Sequence, residues 1–315
     1  MAEYLDKSGF YWRPLGGNNI DQISGHCYQY TDVINHNGRL EATTIIVDLG
    51  KFDNHQALGI KNSSAAVPDI RELLNVRFLN TKAIFITHSH PDHLNGIVHY
   101  VKAGYRLPNL YGGLYTKMIL DGLYDEFEVP NNQRPPYQVI KDGEIFKIGS
   151  LEIEALAASH TCFDSLGFII RGSTATVYHT GDMKIDASTY FRKPTNIRRI
   201  RELAPQIDAV VADFYWIMEP GMATNEATTF KKLTSIIKKT RKKTFFIPVY
   251  PTHSEMYLIA FLAALKMKKN VVFYGNKDFY SYLQLIIDYG ISFEKIAAGR
   301  IKVFYKPGDE IAGLD

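Results

Sequence analysis

Four side chains of metal-ligand type lie close together in the segment from His88 to His93, which reads HSHPDH. The segment directly follows the apolar run AIFIT at 83–87, which predicts a buried strand. Because residues two apart on an extended loop point to the same side, His88 and His90 can face one point, while Pro91 favours a turn. Zinc prefers imidazole nitrogen and carboxylate oxygen, and a catalytic zinc site keeps one position for water. The segment therefore predicts a catalytic metal site, with a loop of solvated histidines as the alternative.

The elements that must position this segment alternate between strands and helices. Strands are predicted at 43–48, 83–87, 151–157, 166–171, 174–179 and 208–213, and a helix at 94–103. Pro220, Gly221 and a helix start at 224–226 indicate a domain boundary. Beyond it the pattern predicts a basic helix at 228–239, a strand at 244–249, a helix at 254–268, a strand at 271–274 and a helix at 279–289. We therefore expect an α/β protein whose second, smaller unit has a parallel sheet.

The composition is that of an ordinary globular protein, with 46% apolar and 22% charged residues among 315. No apolar run approaches the roughly 18 residues of a membrane span, and the start of the chain shows no secretion signal, so we expect no membrane association. The two cysteines, Cys27 and Cys162, cannot form a disulfide framework, which favours a cytoplasmic location. The net charge of +3 mildly favours an anionic substrate.

The histidine segment and several other stretches resemble a known family. The segment matches the His-x-His-x-Asp-His signature of the metallo-β-lactamase superfamily, and Asp48, His160 and Asp182 fall in the order of its other motifs. The closer resemblance, over nearly the whole chain, is to ribonuclease J and its β-CASP relatives. It is carried by LGGNN, PDIRELL, HTCFDSLGF, YHTGDMKID, DAVVADFYW and the run beginning FFIPVYPTHSEMY. The chain departs from that family at 160–165, where an HSIPDS-like stretch is usual, and at 213–216, where Asp-Ser-Thr-Asn is usual.

The resemblance implies a fold and a set of metal ligands. Residues 1–218 would form the N-terminal portion of a metallo-β-lactamase αββα sandwich, and 219–315 the start of an inserted β-CASP α/β domain. His88, His90 and His160 would hold one zinc ion, and Asp92 and His93 would help to hold a second. Asp182 would bridge the two ions, and Asp92 and Asp182 would serve catalysis through a water activated by both metals. The family's last metal-binding histidine follows the insertion, so we expect the second zinc site to be incomplete in this chain.

Other residues would support the site from around it. Asp48 and Asp213 would orient ligands, although a strand-end acid that caps a turn or precedes an exposed loop is the alternative for each. His179 is expected to pack beside the site through a hydrogen bond rather than to bind metal. Asp164 and Ser165 are weaker predictions for contacts with substrate.

The implied function is a zinc-dependent ribonuclease that processes or degrades RNA. Two alternatives stay open. One is a catalytically weak RNA-binding or partner subunit, because the segment that follows the insertion in the family is missing from this sequence. The other is a small-molecule hydrolase such as a lactonase, thioesterase or β-lactamase, because these share the histidine signature. A homo-oligomer or a partner chain that supplies the missing half would be compatible with the first alternative.

Basic and aromatic residues provide a second, weaker indication of RNA. The basic residues fall in two clusters and would contact phosphates, although a solvated helix face is the more common explanation: Arg198, Arg199 and Arg201, then Lys231, Lys232, Lys238, Lys239, Arg241, Lys242 and Lys243. The aromatic residues of the second domain would stack on bases, although a packed core explains most of them better: Phe273, Tyr274, Phe279, Tyr280 and Tyr282.

Overall fold

The computed structural model describes residues 7–17, 25–51, 66–75, 81–190, 193–214, 220–221, 224–240 and 244–307. The chain divides into two compact units. Unit 1 comprises Met1–His160, Asp164–Ile185 and Thr195–Glu219, and unit 2 comprises Thr161–Phe163, Asp186–Pro194 and Pro220–Asp315. Unit 2 thus includes two short segments that interrupt unit 1 in the sequence, whereas each predicted domain is one continuous segment. The predicted boundary at 218 lies outside the described residues, and the assignment of the units to a metallo-β-lactamase and a β-CASP domain stays a prediction.

The first sheet of unit 1 has six strands that neighbour one another in chain order. They are β1 (Gly9–Gly16), β2 (Cys27–His36), β3 (Arg39–Val47), β4 (Thr81–Phe85), β5 (Asn109–Gly112) and β6 (Tyr137–Val139). The pairs among β1, β2 and β3 are antiparallel, and those from β3 to β6 are parallel. Asn37 and Gly38 join β2 to β3 with positive φ angles of 52° and 88°, as a two-residue hairpin loop requires.

Helices connect the parallel strands, because a parallel pair needs a crossover. Helix α1 (Arg71–Asn75) lies between β3 and β4 in the chain. Two short helices, α2 (Pro91–Leu94) and α3 (Gly96–Lys102), lie between β4 and β5, and α4 (Leu114–Glu126) precedes β6. Helix α2 begins with a proline at its first position, where the missing N–H costs no hydrogen bond.

The second sheet of unit 1 has five strands. They are β7 (Ile145–Ile148), β8 (Leu151–Ala157), β9 (Leu166–Arg171), β10 (Thr176–His179) and β11 (Ala209–Val211), arranged in the order β11-β10-β9-β8-β7. All neighbours are antiparallel except β10 and β11, which α5 (Ile197–Leu203) connects.

The two sheets share one apolar core. Ile45 and Phe85 from the first sheet and Ile153 and Phe168 from the second are fully buried in one cluster, and the rings of Phe85 and Phe168 meet edge to face at 5.4 Å. On the other face of the second sheet, a smaller cluster includes Leu203 of α5. The α/β class and the expected two-sheet sandwich are confirmed.

One buried carboxylate ties α5 to the second sheet. Glu154 of β8 is 2% exposed and pairs with Arg171 of β9 at 2.6 Å and with Arg199 of α5 at 2.6 Å. Burial by itself would raise the pKa of Glu154, but the hydrogen bonds from Arg199 and Arg171 outweigh burial and hold that pKa below its usual value.

Unit 2 contains four helices and a parallel pair of strands among its described residues. They are α6 (Glu226–Lys239), α7 (Ser254–Lys266), β12 (Val271–Gly275), α8 (Lys277–Asp288), α9 (Phe293–Ala297) and β13 (Val303–Pro307). Side chains of Asn225, Asn276 and Ser292 cap α6, α8 and α9. The core includes Tyr257 and Phe293. Among the described residues, no helix has both the length and the apolar character needed to cross a bilayer.

The strand predicted at 244–249 is wrong. Residues 244–250 have no regular secondary structure, and the side chains of Phe246 and Tyr250 are 87% and 81% exposed. The described part of unit 2 pairs β12 with β13 alone. Aromatic and β-branched residues favour a strand only where a neighbouring strand receives the backbone hydrogen bonds, so composition misled the prediction here.

Candidate metal centre

The residues with ligand chemistry lie in loops and in the short helix α2 at one edge of unit 1. Asp48 follows β3, the segment from His88 to His93 follows β4, His160 follows β8 and Asp182 follows β10. Because parallel strands end at the same edge, β3 and β4 bring Asp48 beside that segment, and Asp48 N donates to the carbonyl of Phe85. Strand β2 runs antiparallel to β3, so its beginning, next to His26, reaches the same edge.

The first donor group consists of His88, His90, His160 and Asp182. Each offers one ligand atom, and the four atoms lie within 4.8 Å of one another. His90 Nδ1 lies 3.1 Å from His88 Nε2 and 3.1 Å from His160 Nε2, and Asp182 Oδ2 lies 3.8 Å from His160 Nε2. The structure therefore brings the three predicted histidines and the predicted bridging aspartate together. Three imidazole nitrogens and one carboxylate oxygen form a donor set that suits a divalent cation such as zinc.

Thr87 and Asp48 fix which nitrogen of His88 faces the group. A carboxylate can only accept hydrogen bonds, so the Thr87 hydroxyl donates to Asp48, at 2.9 Å from Oδ2. The Thr87 oxygen can then accept from His88 Nδ1–H at 3.0 Å. This arrangement places the lone pair of His88 on Nε2, the atom that faces His90. A carboxylate behind a ligand histidine performs the same task in metal sites generally.

The second donor group consists of His26, Asp92 and His93, whose ligand atoms also lie within 4.8 Å of one another. Asp92 Oδ2 lies 3.7 Å from His26 Nε2 and 3.8 Å from His93 Nε2. Asp182 reaches this group as well, because its Oδ1 lies 3.4 Å from His93 Nε2. The two oxygens of Asp182 thus face one group each.

His93 contributes a buried nitrogen whose carboxylate contacts are long. Its Nδ1 lies 2.8 Å from Asp48 Oδ2 and donates to it. The buried Nε2 makes no hydrogen bond of good geometry among the described residues, and it lies 3.4 Å from Asp182 Oδ1 and 3.8 Å from Asp92 Oδ2. A cation between His93 and Asp92 would satisfy this atom, so the residues present fit a metal ion.

The local charges also favour a cation. Burial disfavours a charged His93, but the carboxylates of Asp182, Asp48 and Asp92 outweigh burial and raise the pKa of His93 well above its usual value. Burial would raise the pKa of Asp182, yet the neighbouring His93 holds it well below its usual value. By contrast, burial lowers the pKa of His26 to about 3 and that of His88 well below its usual value. His26 and His88 are therefore held as neutral imidazoles, the form that binds metals.

Main-chain hydrogen bonds join the loops that carry the second group. His26 N donates to the Asp92 carbonyl at 2.7 Å, and Gly50 N donates to the His26 carbonyl at 2.9 Å. Leu49 N donates to the His93 carbonyl at 3.0 Å. Gly50 lies so close to the backbone of α2 that a Cβ atom at position 50 would overlap the carbonyl oxygen of Asp92. The separation of His26 from Asp92 is therefore set by backbone contacts rather than by side-chain packing alone.

The remaining predicted residues lie at different places in unit 1. His179 is buried and its Nδ1 lies 2.8 Å from the Tyr30 hydroxyl, while burial lowers the pKa of His179 to about 4. Asp213 is exposed, and burial together with charges that include Asp48, Asp182 and Asp213 raises the pKa of Tyr28. Neither residue belongs to a donor group. Their supporting roles stay predictions.

Asp164 and Ser165, predicted as substrate contacts, do not belong to either donor group. Asp164 has a φ of 52° and accepts a 3.4 Å hydrogen bond from the backbone N–H of Tyr115 in α4. Ser165 is buried, and its carbonyl accepts from Ala158 N at 2.9 Å. These two backbone contacts are structural, and a role toward substrate stays a prediction.

The predicted RNA-binding residues differ in their surroundings. Arg198 and Arg199 form ion pairs with Glu202, at 3.0 and 3.4 Å, which reduces their availability for phosphates. The lysines of α6 are exposed, namely Lys231, Lys232, Lys238 and Lys239. Arg241, Lys242 and Lys243 lie outside the described residues. Among the aromatic residues, Phe273 and Phe279 pack on Tyr257, whereas Tyr274 is 55% exposed.

Three residues of the centre were not singled out by the sequence patterns. Thr87 directly precedes His88, so its position next to the motif was a usable signal. His26 and Tyr28 have no such signal, because they lie far from the motif in the sequence and belong to none of the stretches that carry the resemblance.

Comparison with known proteins gives one family match and several relatives. A family model described as a beta-lactamase superfamily domain matches residues 66–247. Ribonuclease J of Sinorhizobium meliloti is 30% identical over 195 residues, which cover 61% of this chain and 33% of that protein. Ribonuclease J of Mycobacterium tuberculosis is 26% identical over 236 residues, covering 74% and 39%. Ribonuclease J 2 of Staphylococcus aureus is 24% identical over 266 residues, covering 84% and 44%.

The chain thus spans less than half the length of each of these three relatives. Among solved structures, a protein of unknown function from Enterococcus faecalis superposes with a TM-score of 0.62 at 15% sequence identity. The superposition covers 98% of this chain and 72% of that one. At this identity the likeness shows a shared fold.

Proposed function

The chain belongs to the metallo-β-lactamase superfamily, and from this premise we propose that it is a metal-dependent ribonuclease that hydrolyses RNA phosphodiester bonds. The family implies a divalent cation, and the names of the ribonuclease J relatives support RNA as the substrate. The observation that carries the proposal is the position of Asp182. Its Oδ1 lies 3.4 Å from His93 Nε2 and its Oδ2 lies 3.8 Å from His160 Nε2, so one carboxylate faces both donor groups.

The donor groups support two cation positions. His88, His90 and His160 would hold the first ion, Asp92 and His93 would help to hold the second, and Asp182 would bridge them. When bound, a pair of divalent cations would activate a water molecule and stabilise the charge that develops in an in-line phosphodiester displacement. Zinc suits these nitrogen and carboxylate donors.

The chain's own residues divide the remaining tasks by their exposure. His88 and His93 are almost fully buried and serve as fixed ligands, with side chains that are at most 1% exposed. The side chains of Asp92, His160 and Asp182 are 12%, 18% and 21% exposed, so solvent and substrate would approach from their side. The Asp92 carboxylate would orient the attacking water and take up its proton.

Cleavage of a labelled single-stranded RNA by the full chain tests the proposal. We expect cleavage that EDTA abolishes and that added Zn²⁺ restores. Asp182→Asn should lose cleavage because an amide cannot serve both donor groups as an anionic bridge. Asp121→Asn on α4 is the matched control, since the Asp121 side chain is 44% exposed and pairs with Lys117.

Two results would contradict the proposal and favour another function. Binding of RNA without cleavage at any Zn²⁺ concentration would indicate an RNA-binding or partner subunit. Zinc-dependent hydrolysis of a lactone, thioester or β-lactam, with RNA left intact, would indicate a small-molecule hydrolase.

A further inference from the structure

The second donor group contains a histidine that the family's motifs do not supply. The motifs present in this sequence supply Asp92, His93 and the bridging Asp182 for the second ion. We propose that His26, which precedes β2, is a further protein ligand of the second metal ion. This assignment rests on the proposed function, because it names a ligand for the second of its two ions.

The donor atoms of the second group lie at distances that suit one cation. Ligand atoms around a tetrahedral zinc lie about 3.4 Å apart, since zinc bonds to nitrogen and oxygen are about 2.0–2.2 Å long. His26 Nε2 lies 3.7 Å from Asp92 Oδ2, and His93 Nε2 lies 3.8 Å from the same oxygen. His26 therefore stands at the same separation from Asp92 as His93, a residue of the family signature.

Tyr28 orients the His26 ring. The hydroxyl of Tyr28 donates its one hydrogen to the carbonyl of Gly17 at 3.3 Å. Its oxygen can then accept from His26 Nδ1–H at 3.0 Å, which leaves the lone pair of His26 on Nε2. Asp48 orients His93 similarly, because it accepts a hydrogen bond from His93 Nδ1. Each histidine of the second group thus has a partner that turns Nε2 toward the ligand position.

A main-chain hydrogen bond holds His26 beside Asp92. Its backbone N–H donates to the carbonyl of Asp92, so the chain segment that carries one ligand is bonded to the segment that carries another. The His26 side chain is 21% exposed, which keeps a path for the ion from solvent. The competing explanation is packing, because the rings of His26 and His93 stack at a centroid distance of 4.1 Å.

Replacing His26 with an aromatic residue that has no ligand atom distinguishes metal binding by His26 from packing of its ring. His26→Phe keeps an aromatic ring on His93 and removes the nitrogen ligand. The matched control is His99→Phe in α3, since His99 is also a partly buried histidine with a ring contact, to Phe127 at 5.7 Å. Tyr28→Phe is a second test of the role of His26, because it removes the hydroxyl that orients the His26 ring and leaves every proposed metal ligand in place.

Metal content and Zn²⁺ affinity of the full-length chain are the readouts, together with the visible spectrum of the Co²⁺-loaded protein. We expect wild type and His99→Phe to bind two ions. His26→Phe should keep the first and bind the second at least about 100-fold more weakly, beyond the roughly 10–100-fold loss of supporting contacts expected for Tyr28→Phe. Circular dichroism and thermal unfolding establish that each variant is folded, and Tyr28→Phe decides the matter if His26→Phe does not fold.

The outcomes distinguish the two proposals. A wild type that binds two ions, with variants of His26 and Tyr28 that bind the second ion equally well, would overturn the role of His26 and leave the proposed function standing. A wild type that binds fewer than two ions would overturn the role of His26, and the RNA cleavage assay decides the proposed function separately. Loss of the second ion in His99→Phe as well as in His26→Phe would show a general effect of altering histidines and would overturn the assignment.

Discussion

Replacing Asp48 with asparagine should separate the two metal positions by affinity. Asp48 is fully buried and accepts three hydrogen bonds, from the backbone N–H of Thr87 at 2.7 Å, the Thr87 hydroxyl at 2.9 Å and His93 Nδ1 at 2.8 Å. Its φ of 61° is a conformation that asparagine tolerates, so Asp48→Asn changes the hydrogen-bonding capacity with little backbone strain. The substitution leaves one oxygen to accept where the carboxylate offered two.

The loss of metal affinity depends on which way the asparagine amide is oriented. If its oxygen faces Thr87, the hydrogen bonds from the Thr87 N–H and hydroxyl are kept, and the new NH₂ group faces His93 Nδ1. His93 must respond by moving its proton to Nε2, the atom that would bind the second ion. Loss of a supporting carboxylate costs about 10–100-fold in metal affinity, or about 1.4–2.7 kcal/mol. His88 Nδ1 can still donate to the Thr87 oxygen, so the affinity of the first site for its ion should fall much less.

Competition with a chromophoric chelator, at one and at two equivalents of Zn²⁺, measures both affinities. The control is Asp32→Asn, because Asp32 is also a fully buried aspartate of unit 1 but accepts from Ser173 N and Oγ instead. Equal loss of affinity for both ions in Asp48→Asn, no loss for either ion, or the same loss in Asp32→Asn would refute this role of Asp48. Unfolding of the metal-free variants establishes that each retains its fold.

Three further predictions concern catalysis, RNA and stability. Asp92→Ala should abolish RNA hydrolysis and leave the far-ultraviolet circular dichroism unchanged, and cleavage at the parent rate would exclude Asp92 from the chemistry. RNA affinity should fall steeply with salt concentration. The slope of log affinity against log salt should shrink by about 0.7 for each phosphate-contacting lysine of α6 that is changed to glutamine. Equal slopes would exclude phosphate contacts by the four lysines tested, Lys231, Lys232, Lys238 and Lys239. Glu154→Gln should lower the free energy of unfolding by about 2 kcal/mol at neutral pH. Because the pKa of Glu154 is lowered by folding, this difference is present above its ordinary value of 4.5 and shrinks as the pH falls below it; urea unfolding at two pH values measures it, and a constant difference would contradict the ion-pair explanation.

Local sequence was enough to predict the parts of the centre that are local in the chain. The segment from His88 to His93 follows a buried strand, and its chemistry can be interpreted without knowledge of any distant contact. His160 and Asp182 needed the resemblance to the family, because nothing in their own surroundings marks them as ligands. The structure then placed both within one donor group with His88 and His90.

His26 shows what local sequence does not contain. Its position depends on the pairing of β2 with β3 and on a backbone hydrogen bond to Asp92, sixty-six residues later in the chain. A single histidine in a loop is chemically ordinary, and only the three-dimensional fold makes it a neighbour of His93. The strand predicted at 244–249 failed for the related reason that a strand needs a partner, which its own residues do not specify.

Gly50 has no functional group, yet it limits how this protein can be redesigned. A side chain at position 50 would occupy the space of the Asp92 carbonyl oxygen. The backbone of α2 that carries Asp92 and His93 would have to shift away from position 50. Library designs that randomise the loops around the centre to change substrate preference should therefore leave position 50 as glycine. Even alanine there would displace Asp92 and His93, which the mutagenesis had left unchanged.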